Sequence, residues 1–219
     1  MPVRKIPKNH ISVTGRHATH KSIGHAEFES PLERDYLILL DFDSQVKSYE
    51  VQPVVVPVQG VSRGYVPDVL VHFHPDADGV PRSSELTEIK TTDDYQRNRE
   101  KYAPKFAAAE RFAAERGWFF VQKSDKEIRT PRLANLKFLR AYRRVEPSPL
   151  DVELILGELN RQGGASTLLR LLAALCSDDD ARVHMLPVFW HLVAMGHLQA
   201  DLDKPFEVDV QVVLAGVSL

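Results

Sequence analysis

The sequence predicts an α/β fold in which a mixed sheet is followed by a small domain of helices and a hairpin. Several short β-rich runs, each bounded by turn residues, fall in the first half of the chain and are typical of strands. A long helical segment then leads to the continuous apolar run 118–121, and this strand, helix, strand order favours a right-handed crossover and a mixed sheet. After the Pro-containing stretch 146–149, three helical segments precede two strands.

The first clear helix is predicted to begin after Ser30. Ser30 suits the N-cap, Pro31 suits the first helical position, and Glu33 stands three residues after the cap. An apolar stripe carries the helix to about residues 41–43. Glu33 therefore has two explanations that do not exclude each other. It closes a capping box, or it presents a carboxylate from the helix toward a functional site.

Four β-rich segments predict the strands that follow this helix. Segment 46–52 alternates between polar and apolar residues, and segment 54–58 continues as a buried or edge strand. A turn is expected over 59–64, before strands at 65–71 and 86–90.

One long helix and one apolar strand complete the predicted sheet domain. The helix runs over 91–116 and ends before a glycine, and Pro104 is expected to kink or split it. The apolar run 118–121 is typical of a strand in the buried centre of a sheet. A further helix with a basic face is expected over 131–144.

The pattern of predicted elements changes at 146–149, which is the predicted domain boundary. Three helices followed by a hairpin is the order of a winged helix, and such folds usually bind DNA. Residues 145–219, however, carry a net charge of −7, which favours contact with a protein over contact with DNA. The predicted elements are helices at 151–161, 166–176 and 181–195 and strands at 197–202 and 206–214.

Charge is distributed unevenly along a chain whose total net charge is −2. Residues 1–25 contain five basic residues and no acidic residue, and residues 1–28 are interpreted as a mobile basic arm. Residues 121–144 carry a net charge of +6. These two segments could form a surface that faces phosphates, although a solvated charge run is the alternative for each.

The single cysteine, Cys176, excludes an internal disulfide and is expected to be a small buried hydrophobe. The apolar runs are too short for a membrane span. Together these features predict a cytoplasmic protein with no membrane partner.

The candidate site lies in two of the predicted strands. Asp68 belongs to the first strand, and Glu88 and Lys90 share one face of the second because residues two apart on a strand point the same way. The turn-like linker 74–81 folds these strands into a hairpin that could bring Asp68 beside Glu88. Two adjacent carboxylates repel each other unless they are protonated or bridged by a cation, and Mg²⁺ prefers such oxygen ligands.

This arrangement is the Pro-Asp…(Asp/Glu)-x-Lys pattern of the restriction-endonuclease-like nucleases. The pattern is short, so a hairpin whose polar side chains face water is an equally good explanation of it alone.

The chain also resembles TnsA, the endonuclease subunit of heteromeric transposases. Five landmarks in order along residues 10–144 carry the resemblance, and together they are more specific than the nuclease pattern. They are Glu29-Ser30-Pro31-Leu32-Glu33, Glu50-Val51-Gln52-Pro53, Tyr65-Val66-Pro67-Asp68, Glu88-Ile89-Lys90 and Ser124-Asp125-Lys126-Glu127-Ile128-Arg129.

By this resemblance Glu33, Asp68 and Lys90 match catalytic positions, and Glu88 stands where some members have glutamine. The resemblance implies nicking of the 5′ ends of a mobile element beside a DDE-type transposase subunit that cuts the 3′ ends, together with an ATP-dependent regulator. The expected domains are a basic arm over 1–28, a restriction-endonuclease-like domain over 29–145 and a winged-helix-like domain over 148–219.

The predicted reaction is Mg²⁺-dependent hydrolysis of a DNA phosphodiester, with Mn²⁺ expected to substitute for Mg²⁺. Asp68, Glu88, Glu33 and the carbonyl of Ile89 would hold the metal. Lys90 would position the attacking water or help to deprotonate it. Gln52 is a candidate support residue. Two other functions remain open: a stand-alone restriction or repair nuclease, and a non-catalytic adaptor of the same fold.

Overall fold

A computed structural model describes residues 14–216 of the chain, which divides into two compact units at Arg129 and Thr130. Residues 1–13 and 217–219 lie outside the described part. The first 13 residues of the predicted basic arm, including Arg4, Lys5 and Lys8, therefore fall outside it.

The first unit contains the sheet that the sequence predicts. In chain order its described part comprises β1 (Gly15–Arg16), β2 (Glu27–Phe28), α1 (Pro31–Phe42), β3 (Val46–Val51), β4 (Val56–Val58), β5 (Val61–Tyr65), β6 (Val69–Phe73), β7 (Glu85–Lys90), α2 (Thr92–Arg97), α3 (Arg99–Ala114), β8 (Phe119–Ser124) and α4 (Asp125–Ile128).

The central sheet has the strand order β3-β6-β7-β8. Strand β6 runs antiparallel to both β3 and β7, whereas β7 runs parallel to β8. Helices α2 and α3 form the crossover between the two parallel strands. The prediction of a mixed sheet in an α/β fold is therefore confirmed.

An apolar core fills the space between α3 and the sheet. Side chains from β6 and β7, namely Leu70 and Leu86, pack there with Phe106 and small alanines of α3, such as Ala109. Phe106 and Ala109 are 5% and 0% exposed. Because side chains alternate along a strand, this contact fixes Leu86, Glu88 and Lys90 on the α3 face of β7.

The predicted strand 65–71 is in fact the junction of two strands. Tyr65 ends β5 and pairs with Val56 of β4, whereas Val69 begins β6 and pairs with Thr87 of β7. The predicted turn over 59–64 is wrong for the same reason, because most of that segment forms β5. The chain passes from the β4–β5 hairpin to the central sheet at residues 66–68, where Pro67 lacks the N–H of a regular strand pair.

The predictions for β8 and for the crossover helix also need correction. Strand β8 lies at the edge of the described sheet, and Phe119 is 64% exposed, so β8 is not a buried central strand. The long helix breaks at Asn98 and continues through Pro104. The Asn98 amide donates to the backbone oxygen of Asp94 at 3.3 Å and to its carboxylate at 2.8 Å, and such local bonds compete with a regular helix.

Residues 14–28 are tied to the sheet domain by hydrogen bonds to the end of α1 and to β3. The carboxylate of Asp41, at the end of α1, lies 2.6 Å from Nε2 of the buried His17 and accepts from the hydroxyl groups of Thr19 at 2.5 Å and Tyr49 at 3.1 Å. Burial tends to raise the pKa of Asp41, but these hydrogen bonds outweigh burial and lower it. The segment is therefore held by a buried, charged acceptor.

The second unit contains helices and a small sheet. In chain order its described part comprises α5 (Pro131–Leu139), a 3₁₀ helix (Tyr142–Arg144), α6 (Pro149–Arg161), β9 (Ala165–Thr167), α7 (Leu168–Leu175), α8 (Asp179–Ala194), β10 (Leu198–Gln199) and β11 (Gln211–Leu214). Strand β11 lies between β10 and β9 and is antiparallel to both. Cys176 is buried at 7% exposure, as expected.

The division between the units lies before α5, whereas the sequence predicts it at 146–149. Asn135 of α5 donates to the backbone oxygens of Leu202 at 2.9 Å and Lys204 at 2.7 Å. The ring of Phe138 meets Trp190 of α8 edge to face, with 4.9 Å between centroids. Because these contacts are with later residues, α5 packs as part of the second unit.

No helix within residues 14–216 is long and apolar enough to cross a membrane.

Asp41→Asn is expected to destabilise the chain by about 2–3 kcal/mol at pH 7, because it weakens hydrogen bonds to a buried carboxylate. The lowered pKa means that this stabilisation is present above pH 3.8 and is lost as the pH falls further. Urea unfolding at several pH values measures the effect. Asp93→Asn, which loses only an exposed pair with Arg97, should change stability by less than about 0.5 kcal/mol. Equal effects of the two substitutions would contradict the proposed anchoring role.

Candidate active site

The register of β6 and β7 places Asp68 opposite Glu88. Val69 pairs with Thr87 in this antiparallel ladder, and the backbone N–H of Asp68 donates to the Thr87 carbonyl at 3.1 Å. Glu88 is only 4% exposed, and the side chain of Asp68 is 16% exposed. The hairpin predicted from the sequence therefore brings the two carboxylates together below the surface.

The ammonium of Lys90 lies among the atoms that the sequence predicts to be metal ligands. Lys90 Nζ is 2.6 Å from Glu88 Oε1, 3.0 Å from the carbonyl oxygen of Ile89 and 3.6 Å from Asp68 Oδ2. A buried carboxylate pair needs a cation or a proton, and here the chain supplies the cation itself.

Three backbone contacts hold Asp68 in this position. Its Oδ2 accepts from the backbone N–H of Ile89 at 2.7 Å, and its carbonyl accepts from the N–H of Gln52 at 2.8 Å. With the bond to Thr87, these contacts fix Asp68 at the point where the chain enters β6. The carboxylate therefore does not depend on a flexible loop for its orientation.

Gln52 supports this corner through an unusual backbone. It has a φ of +48°, which is uncommon for a residue other than glycine and especially for one that precedes a proline. Its side chain is buried and donates to Glu29 Oε1 at 3.0 Å. Sparsely populated backbone conformations cost about 1–3 kcal/mol and persist where the surroundings enforce them. Gln52 is thus placed to support both Asp68 and Glu29.

Glu33 forms a reciprocal cap at the start of α1. The hydroxyl of Ser30 accepts from the N–H of Glu33 at 3.1 Å and donates to Glu33 Oε1 at 2.9 Å. Glu33 Oε2 accepts from the N–H of Glu29 at 2.7 Å. Burial, followed by the charge of Asp68, raises the pKa of Glu33 to about 7. Both explanations of Glu33 therefore have support, because the cap residue also feels the charge of Asp68.

Burial raises the pKa of the buried carboxyls of Asp68 and Glu88. Burial, followed by the charge of Asp68, raises the pKa of Glu88 to about 8, although Lys90 opposes this rise. Burial also raises the pKa of Asp68. Burial alone would lower the pKa of Lys90, but Asp68 and Glu88 outweigh it and raise that pKa. Lys90 is therefore a protonated, positively charged group at neutral pH.

The donor set suits a hard divalent cation. Glu88 Oε2 is buried and has no hydrogen-bond partner among residues 14–216, and Asp68 and the Ile89 carbonyl supply further oxygens around Lys90. The structure does not bring Glu33 into one group with Asp68 and Glu88. Across the same range, no three His, Cys, Asp or Glu side chains are grouped closely enough to form a metal-binding cluster. Lys90 contacts three of the assigned ligand atoms, so a metal that used them would have to compete with its ammonium.

Two residues beside the site were not identified from the sequence. Tyr65 has a buried hydroxyl without a hydrogen-bond partner in the described chain, and burial followed by the charge of Glu88 raises its pKa. Gln122 of β8 pairs with Glu88 in the parallel register and so lies on the same face. The pairing of Gln122 with Glu88 depends on the crossover, and local sequence patterns carry no signal for it.

Two family models match adjoining parts of the chain. The model for the TnsA-like endonuclease N-terminal domain matches residues 43–125, and the model for the TnsA endonuclease C-terminal domain matches residues 127–202. The first match contains Asp68, Glu88 and Lys90 and begins after Glu33. A comparison with curated proteins finds no match.

Lys90→Ala is expected to make stability depend on divalent cations. Without its ammonium, the carboxylates of Asp68 and Glu88 lose their counter-charge, which costs up to about 3–5 kcal/mol in metal-free buffer. Mn²⁺ or Ca²⁺ should raise the melting temperature of this variant more than that of the wild type, because the competing cation is gone. Thermal unfolding with and without each ion measures both shifts.

Lys101→Ala, which removes an exposed lysine of α3, is the matched control and should respond to the ions as the wild type does. Equal ion-induced shifts in the wild type and Lys90→Ala would show that Lys90 does not compete for the site.

Proposed function

Because the chain belongs to the TnsA-like endonuclease family, we propose that it cleaves DNA as the endonuclease subunit of a heteromeric transposase. The single observation that carries the proposal is the buried cluster of Asp68, Glu88 and Lys90 inside the matched N-terminal region. In this proposal the chain nicks the 5′ ends of a mobile element. Its partners are transposon-end DNA, a DDE-type transposase subunit and an ATP-dependent regulator.

The residues that would hold a metal are Asp68, Glu88, Glu33 and the Ile89 carbonyl. When bound there, Mg²⁺ would polarise the scissile phosphate and stabilise the leaving oxygen. Asp68 is pre-oriented for this role by the N–H of Ile89, and Glu88 offers the buried Oε2 that has no partner in the described residues.

Lys90 is suited to hold charge and to orient a nucleophile. Its raised pKa keeps the ammonium protonated, so the side chain can donate to a phosphate oxygen or to the attacking water. A protonated amine cannot accept a proton. Of the two roles expected from the sequence, positioning of the water is therefore favoured over its deprotonation.

The second unit is proposed to be a winged-helix-like domain that contacts the partner proteins. Its described elements follow the order helix, strand, helix, helix, strand, strand from α6 to β11, which supports the winged-helix proposal. With the division at Thr130, the five basic residues of 130–144 bring the net charge of the unit from −7 to −2. Arg132 among them already forms a two-point pair with Asp203, at 2.7 and 2.6 Å.

Asp68→Asn is expected to lower the nicking rate at least about 100-fold, because it removes the negative charge that would hold the metal. The assay uses purified full-length protein, Mg²⁺, the partner transposase and DNA that carries the transposon ends, with nicks mapped to the nucleotide. Asp93→Asn, an exposed change, should nick at the wild-type rate. Normal nicking by folded Asp68→Asn protein would contradict the assignment of Asp68 as a catalytic residue.

The same assay separates the rival functions. Sequence-specific cleavage by the wild type without partners would indicate a stand-alone nuclease. No cleavage with all partners and Mg²⁺ or Mn²⁺ present would indicate a non-catalytic adaptor.

Glu33→Gln is expected to abolish most nicking while stability changes by less than about 1 kcal/mol, because glutamine can still serve in the capping box. Ser30→Ala provides the opposite case. It removes the cap hydroxyl, should cost about 1 kcal/mol, and leaves the Glu33 carboxylate in place. Nicking rates and urea unfolding of both variants are compared. If Glu33→Gln nicks normally, Glu33 is a cap alone and Glu29 becomes the next candidate ligand.

A further inference from the structure

We infer that a cavity beside Glu88 and Lys90 is a subsite for one nucleobase of the DNA that the chain cleaves. The cavity has a volume of about 300 Å³ and is lined by Glu88, Lys90, Tyr95, Phe106, Gln122 and Lys126 among others. This inference rests on the proposed function, because it assigns the subsite to the same DNA substrate.

The cavity lies where an α/β sheet usually receives a ligand. Strands β7 and β8 are parallel and end at Lys90 and Ser124, which pair with each other in the register. Ligands of open α/β sheets bind outside the carboxyl ends of the strands, where neighbouring connections diverge. Glu88 and Lys90 line both the cavity and the reacting site, so an occupant of the cavity would adjoin the scissile phosphate.

The walls of the cavity suit a flat aromatic group. Tyr95 stacks on Phe106 with 6.0 Å between ring centroids and 10° between planes, and Phe106 stacks in turn on Tyr102 at 5.5 Å. This packing gives a rigid wall with little polar surface. Phosphate or deoxyribose would lose hydration against it, whereas a base can stack on it.

Polar groups at the cavity can read the edge of a base. Among residues 14–216, the side chains of Gln122 and Lys126 form no hydrogen bond or ion pair within 4 Å. The amide of Gln122 offers both a donor and an acceptor, which is the combination that matches the edge of a base. We therefore assign Gln122 as a specificity-determining residue and Tyr95 as the stacking residue.

Two hydrogen bonds between α2 and α4 join the two sides of the cavity. Asp125 Oδ1 accepts from the backbone N–H of Thr92 at 2.7 Å and from its hydroxyl at 2.8 Å. This contact ties the segment after β7 to the segment after β8. The occupying base would leave the duplex stack next to the nick, as in enzymes that extrude a nucleotide into a pocket.

The test combines variants of the protein with substrates that lack one base. Full-length wild type, Gln122→Ala and Tyr95→Ala are assayed on intact substrate and on substrates with a single abasic site at each position flanking the nick. On intact DNA each variant should lower kcat/KM about 10-fold, the effect expected from loss of a base contact. An abasic site at the occupying position should impair the wild type by a similar factor and impair the variants no further.

Tyr95→Phe keeps the stacking ring and should cleave as the wild type does, and Gln122→Ala, a change at an exposed position, carries the test if Tyr95→Ala does not fold. Gln96→Ala, an exposed change next to Tyr95, is the matched control. The subsite would be overturned if the wild type tolerated an abasic site equally well at every flanking position. It would also be overturned if the loss of kcat/KM from a variant multiplied with the loss from the abasic substrate. Either result would leave the nuclease assignment intact. Failure of the wild type to cleave intact DNA would overturn both.

Discussion

The pairing of β6 with β7 is the constraint on which the candidate site depends. One register places Asp68 opposite Glu88, and the same ladder sets Lys90 where its ammonium reaches both carboxylates. A shift by one residue would turn Glu88 and Lys90 to the other face of β7 and separate them from Asp68. The apolar contact of Leu86 with α3 resists that shift, so packing of the core and chemistry of the site are specified together.

The position of Asp68 in the candidate site is supported by neighbouring residues. The strained backbone of Gln52 holds the carbonyl of Asp68, and its side chain reaches Glu29. Glu33 links the cap of α1 to the electrostatics of Asp68. These contacts connect β3, α1 and β6 at one corner, which explains why the sequence landmarks of the family resemblance, although far apart in the chain, converge in the structure.

Sequence patterns predicted the parts of the site that depend on local order. Alternation along β7 placed Glu88 and Lys90 on one face, and the cap motif placed Glu33 at a helix start. Features that depend on contacts between residues far apart in the sequence were not predicted. The pairing of Gln122 with Glu88 follows from the crossover through α3, and the place of α5 in the second unit follows from contacts with Leu202 and Trp190. The exposed position of β8 at the edge of the sheet was not predicted, because a continuous apolar run is typical of a buried strand. In β8 only part of that run packs against α3.

The contact of Lys90 with the carboxylates affects how the chain can fold after synthesis. Proteins whose folding requires a metal stay unfolded until the ion arrives. Here the ammonium of Lys90 offsets part of the buried negative charge, so the sheet does not depend on a metal ion for that counter-charge. Under the proposed function, folding of the chain and loading of the metal would therefore be separate events.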